Sequence, residues 1–113
     1  MKPSLSAAVA LLAAGAGLLT FTSGIVAAPA TNGADLYSRN CAMCHGMDGR
    51  GFPSFKTPDF TDPEAQAALS DREIIEAIKN GKKGTAMPAF KDKLKDEDVH
   101  ALLVYLRSLG RKK

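Results

Sequence analysis

The chain has no tryptophan, only two cysteines and two histidines, and seven aromatic side chains in 113 residues. It also lacks a strong charge of either sign, a fixed-period repeat, and any sustained two-residue alternation of apolar and polar side chains. Each absence removes a class. Two cysteines cannot build a disulfide-dense scaffold. A net charge of +3 with acids interleaved among the bases is not the basic stripe of a nucleic-acid binder. Missing alternation argues against a sheet and for helices.

The apolar residues are unevenly spread: 18 of the 51 fall in the first 28 positions. There, Lys2 precedes an Ala/Leu/Val-rich run from Ala7 to Leu19, and Val26-Ala27-Ala28 follows a more polar stretch. A positive start, an apolar middle and a small-residue end are the order of a secretory signal peptide. Residues 1–28 are therefore expected to be cleaved, leaving 29–113 as a single domain. A retained membrane anchor is the rival, but Gly15, Gly17, Thr20, Thr22, Ser23 and Gly24 dilute the run. After Ala28 only 23 sizeable apolar side chains remain, beside ten alanines. A core of that size is marginal alone, and small domains make up the difference with a disulfide, metal or cofactor.

Local signals divide the rest. Asn32 caps a first helix running to about Cys44, with Asp35 in its first turn. Leu36, Tyr37, Cys41 and Cys44 lie along one face of it. Gly46, Gly49, Gly51, Pro53 and Pro58 then enforce a loop carrying Phe52, Phe55 and Phe60, expected to wrap something apolar. A short helix follows Asp62-Pro63-Glu64, and Ser70-Asp71-Arg72-Glu73 is a capping box opening a helix that stops at Asn80-Gly81. Lys82 to Leu94 reads as a second loop. The last helix spans about Glu97 to Leu109, with Val99, Leu102, Leu103, Leu106 and Leu109 as its stripe and Gly110 at its end.

Chemistry is concentrated in Cys41-Ala42-Met43-Cys44-His45. Two cysteines three apart near a helix end can both reach one edge of a flat ligand, and the adjacent imidazole can turn toward its centre. That is what covalent attachment of c-type haem requires. Three other readings compete. A disulfide here would close a tiny loop and stabilise little. A thioredoxin-like redox pair belongs in a strand-containing fold. Zinc needs four ligands, and His100 lies 55 residues beyond His45. For the far face of a haem, Met87 is the candidate, in a loop where Pro88 fixes the backbone and Gly84 and Ala86 permit close approach. His100 is its substitute, read as a surface residue.

With these motifs in place, the sequence resembles the monohaem class I c-type cytochromes, in particular small bacterial periplasmic ones. The spacing Gly33, Tyr37, Cys41 is similar to that family's small, aromatic and first-cysteine ladder. Leu102 and Tyr105 match its last-helix positions, and Thr85-Ala86-Met87-Pro88-Ala89-Phe90 resembles its methionine loop. The resemblance implies an all-α cytochrome c fold, about four helices wrapped around one covalently bound haem c with the terminal helices crossing. It implies thioethers at Cys41 and Cys44, axial ligands His45 and Met87, and a loop proline whose carbonyl accepts a hydrogen bond from His45. Pro53 is the choice for that proline and Pro58 the alternative. Lys95 stands where a Ser or Thr cap is usual, so Asp96 is expected to cap the last helix.

The function so implied is that of a one-electron carrier and not an enzyme, exported to the periplasm, free of any membrane span after cleavage, and shuttling between redox partner proteins as a monomer or in transient complexes. The alternative is a cytochrome c subunit of a larger periplasmic oxidoreductase, such as a dehydrogenase or a sulfur-compound oxidising enzyme. Lys82, Lys83, Lys91, Lys93 and Lys95 flank Met87 and could steer an acidic partner.

Overall fold

A computed structural model describes residues 14–20, 24 and 31–111. The expected cleavage after Ala28 lies outside the described residues. From Gly33 onward the architecture is helical, and no strand occurs among the described residues. Five helices follow in order: α1 Gly33–Asn40, α2 Ala42–His45, α3 Pro63–Ala68, α4 Asp71–Asn80 and α5 Asp96–Leu109, with a 3-10 turn at Pro53–Phe55.

The capping signals hold at three of the four expected starts. The Asn32 side chain accepts from the N–H groups of Ala34 and Asp35, and Asp62 accepts from that of Glu64. At α4 the Glu73 N–H donates to Ser70 Oγ while the Ser70 N–H donates back to Glu73 Oε2 at 2.8 Å. The start of α5 differs from expectation. Lys95 occupies the cap, its N–H donating to Asp98 Oδ2 at 2.9 Å. Asp96 is the first helical residue, its carboxylate held by Lys79 Nζ at 2.8 Å. The acidic Asp98 one turn in thus performs half of a capping box without a hydroxyl at the cap.

The first helix also departs from its expected span. It stops at Asn40 and restarts at Ala42, because Cys41 leaves helical geometry at φ −120° and ψ −34°. The break turns the cysteine segment relative to α1. Gly110 follows α5 in a right-handed conformation, φ −70°. Its lack of a side chain serves close approach instead, since a Cβ there would lie 2.6 Å from Gln66 Cγ.

The core forms where α1 crosses α5 and α4 packs alongside. Its buried members include Tyr37, Ile74, Ile78, Leu94, Val99, Leu102, Leu103, Leu106 and Leu109. Leu102 has no exposed surface, and burying such a side chain contributes about 2 kcal/mol. The crossing depends on Gly33: a Cβ there would overlap the Ala101 carbonyl oxygen and come within 2.9 Å of Tyr105 Cβ. No polar or charged residue is buried among the described ones.

Candidate functional site

The site grows from the α1–α2 break. Tyr37, on the last full turn of α1, is almost wholly buried and donates its hydroxyl to the Gly46 carbonyl at 2.8 Å. That bond ties α1 to the residue after His45. The Cys41 carbonyl accepts the N–H groups of both Cys44 and His45, so the intervening residues make one tight turn. Cys41 comes out half-buried against the core, and Cys44 is exposed. Both are free thiols. Burial pushes the Cys41 thiol up to about 11, with the neighbouring Cys44 adding to the rise.

His45 is half-buried, and its ring lies against Phe60 with centroids 5.2 Å apart and planes tilted by 31°. Burial lowers its pKa, favouring the neutral imidazole whose lone pair a metal can take. Among the described residues its Nδ1 is a buried side-chain nitrogen with no hydrogen-bond partner. A buried polar atom in that condition costs about 1–3 kcal/mol, which a structural histidine would not ordinarily retain.

The loop after His45 folds back beneath it. The Gly51 N–H donates to the His45 carbonyl at 2.8 Å, and the Phe60 N–H to the Gly49 carbonyl at 2.8 Å. Residues 57–60 therefore run against residues 49–51. A Cβ on Gly51 would stand 2.9 Å from the Pro58 carbonyl oxygen. Pro53 instead opens the exposed 3-10 turn, its carbonyl accepting the Lys56 N–H at 3.2 Å. Of the three loop phenylalanines only Phe60 is buried. Phe52 and Phe55 are 41% and 57% exposed and pack edge to face on each other. They do not wrap the protein's own core.

Met87 comes from the opposite side of the sequence, in the loop from Lys82 to Leu94. That loop is fastened at both ends: the Lys82 N–H donates to the Met87 carbonyl, and Phe90 N–H to the Ile78 carbonyl at the end of α4. Met87 is half-buried against the same core cluster as Cys41. His100 is exposed on α5. The structure thus brings Cys41 and Met87 to one core, with His45 beside Phe60, and leaves His100 outside. The zinc reading finds no support, since no group of three or more His, Cys, Asp or Glu is placed to hold a metal ion among the described residues. A surface hollow of about 360 Å³ lies elsewhere, between Asn32, Gly33, Val104 and Tyr105 at the helix crossing.

Sequence reading missed the polar hub behind this site. Gln66 Nε2 donates to the carbonyls of Phe60 and Leu106 at 2.6 and 2.8 Å. Arg107 donates to Gln66, Leu69 and Asp71. Its partners lie 36 to 41 residues away in sequence, and a basic residue in a last helical turn looks ordinary.

Residues 28–106 match the family described as cytochrome c oxidase, cbb3-type, subunit III. The chain is 38% identical over 98 residues to cytochrome c6 of Nostoc sp. strain PCC 7120, covering 85% of this chain and 86% of that one. It is 36% identical over 81 residues to the cbb3-type cytochrome c oxidase subunit FixP of Bradyrhizobium sp. strain ORS 278. There it covers 72% of this chain and spans only 28% of the relative. Among solved structures, the KustC0563 c-type cytochrome superposes with a TM-score of 0.63 at 38% identity, over 69% of this chain and 96% of that one.

Proposed function

Since the chain belongs to the c-type cytochromes, in the family of the cbb3-type oxidase subunit III domain, we propose that Cys41, Cys44, His45 and Met87 are the residues with which it holds haem c as a one-electron carrier. The all-α fold and a covalently attached haem c are properties of that family which this chain shares. When bound, the group supplies a one-electron Fe(III)/Fe(II) cycle.

The observation that carries the residue assignment is the half-buried His45 ring set against Phe60 beside two free thiols, with Met87 packed on the core that holds Cys41. Cys41 and Cys44 would hold the haem edge through thioether bonds. His45 would present a neutral imidazole, and Met87 a soft thioether from the opposite loop, a pair that favours reduced iron and raises the potential. For the carbonyl that would accept from His45 Nδ1, unpartnered here, and so orient the ring, Pro58 is better placed than Pro53. The Pro58 segment runs against the His45 loop, while the Pro53 carbonyl already accepts from Lys56. Were His45 and Met87 both to hold the iron, no open site would remain there for a substrate, which supports a carrier and not an enzyme.

Residues 1–28 are proposed as a cleaved secretory signal and the periplasm as the working compartment. The family match beginning at residue 28 supports that boundary, and among the described residues no helix is long and apolar enough to cross a membrane. Redox partners are proposed to approach the Met87 loop. Lys82, Lys83, Lys91, Lys93 and Lys95 are all exposed around it, with Gly84, Thr85, Ala86, Pro88 and Ala89 uncharged between them. The FixP likeness favours a second reading, a subunit of an oxidase complex. Near end-to-end coverage of cytochrome c6 supports the free carrier. Gel filtration of a native extract, followed by haem absorbance, separates the two: elution at monomer size supports the carrier.

The residue assignment is tested by denaturing the matured protein and extracting it with acidified organic solvent. Haem stays with the wild-type chain and is lost from a Cys41→Ala, Cys44→Ala double variant. Extractable haem in the wild type overturns the assignment.

A further inference from the structure

Met87 is half-buried, while Lys82 to Ala86 before it and Pro88 and Ala89 after it are all exposed. Its immediate neighbours bring no buried packing, so the backbone of the loop has to fix where it sits. The loop closes on α4. Phe90 and Lys91 donate their N–H groups to the carbonyls of Ile78 and Lys79 at 3.0 and 3.2 Å, meeting two of the carbonyls that a helix end leaves free. Where the chain leaves α4, the Gly81 N–H still donates to the Ala77 carbonyl at 2.9 Å, and the Lys82 N–H turns to the Met87 carbonyl at 3.3 Å. Gly81 lies between these ties at φ 72° and ψ −175°, a region that is essentially glycine's alone. A Cβ on it would stand 2.7 Å from the Met87 carbonyl oxygen, 2.9 Å from the Pro88 carbonyl carbon and 3.0 Å from the Ala89 nitrogen. All three are backbone atoms, so no side-chain rotation relieves the contact.

We propose that Gly81 is a positioning residue for Met87: its bare backbone is the seat on which residues 87–89 rest, and that contact sets where the Met87 thioether is presented. The inference rests on the reading of Met87 as an iron ligand. A side chain at position 81 leaves the chain two ways out. Residues 87–89 move away from the end of α4, or Gly81 gives up its backbone angles and takes the Lys82 N–H off the Met87 carbonyl. Either movement carries the Met87 backbone with it, because its carbonyl oxygen is the first atom the new Cβ meets. The exposed run from Lys82 to Ala86 has no buried contact with which to resist. In sequence Gly81 marks only the stop of a helix, a task that glycine commonly performs. Its second task appears once the loop has returned to it.

Gly81→Ala is compared with Gly33→Ala, which adds the same methyl group at the α1–α5 crossing, against Ala101 and Tyr105. In the holoprotein three signals report a methionine ligand: the methionine-to-iron charge-transfer band of the oxidised form, the reduction potential, and carbon monoxide binding by the reduced form without denaturant. Gly81→Ala loses most of the band, lowers the potential and binds carbon monoxide, while its haem stays with the chain on extraction. Gly33→Ala lowers the urea midpoint and leaves all three signals in place, which separates positioning from mere stability. Added to Met87→Ala, Gly81→Ala changes the potential and carbon monoxide binding no further. In the reduced wild type, which needs no variant to fold, a nuclear Overhauser contact joins a Gly81 α-proton to the Ala89 N–H. Intact ligand signals in Gly81→Ala, the same losses in Gly33→Ala, a further change in the double variant, or absence of that Overhauser contact overturns the proposal. Carbon monoxide binding by the wild type instead sinks the reading of Met87 beneath it.

Discussion

The Tyr37 hydroxyl donates to the Gly46 carbonyl across 2.8 Å of buried interior, joining the first helix to the turn that carries His45. Removing the hydroxyl leaves that carbonyl with only the longer bond from the Gly49 N–H at 3.2 Å, so Tyr37→Phe is expected to lower stability by about 0.5–1.5 kcal/mol, the worth of one buried hydrogen bond. Urea denaturation of the holoprotein, followed by far-ultraviolet circular dichroism, measures it.

The same phenol predicts an alkaline signature. Burial pushes the Tyr37 pKa well above its ordinary value of 10.0. In the folded chain it keeps its proton where the unfolded chain has lost it. The folded state then binds more protons, and stability falls as pH rises past the unfolded value. Wild-type denaturation midpoints should decline more steeply above pH ~10 than those of Tyr37→Phe. Parallel declines would show that the phenol is not the group responsible.

Gly33→Ala tests the helix crossing. The added Cβ overlaps the Ala101 carbonyl oxygen and crowds Tyr105 Cβ, and both are anchored on α5. Overpacking of this kind costs about 1–3 kcal/mol, felt at the α1–α5 contact. Ala34→Ser, on the exposed neighbour, is expected to leave the urea midpoint within error.

Local chemistry was readable and long-range chemistry was not. Asn32, Asp62 and the Ser70–Glu73 pair cap helices through bonds spanning two or three residues, so sequence alone placed those starts. The Cys41–His45 motif was legible for the same reason, being five adjacent residues. The break at Cys41 was not, because Leu36, Tyr37, Cys41 and Cys44 keep helical spacing whether or not the backbone bends between them. Asp96 looked like the better cap until its carboxylate was seen to face Lys79, 17 residues away. Choosing between Pro53 and Pro58 required knowing that residues 57–60 fold back on 49–51. The exposed Phe52 and Phe55 carry no packing partner in the protein core, so hydrophobicity placed them near a site without saying what covers them.

Replacement of Met87 distinguishes the two candidates for the second axial position. Met87 is half-buried against the core that holds Cys41, and His100 is exposed on the solvent side of α5. Met87→Ala should keep covalent haem, lower the reduction potential and let the reduced protein bind carbon monoxide. His100→Ala should do none of these. Spectroelectrochemistry and carbon monoxide difference spectra read both variants. Carbon monoxide binding in the wild type, without denaturant, would remove Met87 from the assignment.

The lysine loop makes a kinetic prediction. Between Lys79 and Lys95 the chain has six lysines and one acid, Asp92, and Lys79 is already paired with Asp96. The other five form no ion pair among the described residues and flank Met87 in the sequence, so their field should draw anions toward that loop. Exposed charges act over about 10 Å at 0.1 M salt, and the attraction therefore fades as ions are added. Reduction of the oxidised protein by ferrocyanide, an anion, should slow with rising ionic strength, and reduction by the hexaammineruthenium(II) cation should quicken. In Lys82→Glu, Lys83→Glu the ferrocyanide rate should fall several-fold at low salt and converge with wild type near 0.5 M salt, where the screening length is only a few ångströms. Arg39→Glu and Arg72→Glu reverse the same amount of charge away from the loop. Should they slow ferrocyanide as much, net charge alone would explain the effect, and the Met87 loop would lose its claim as the docking face.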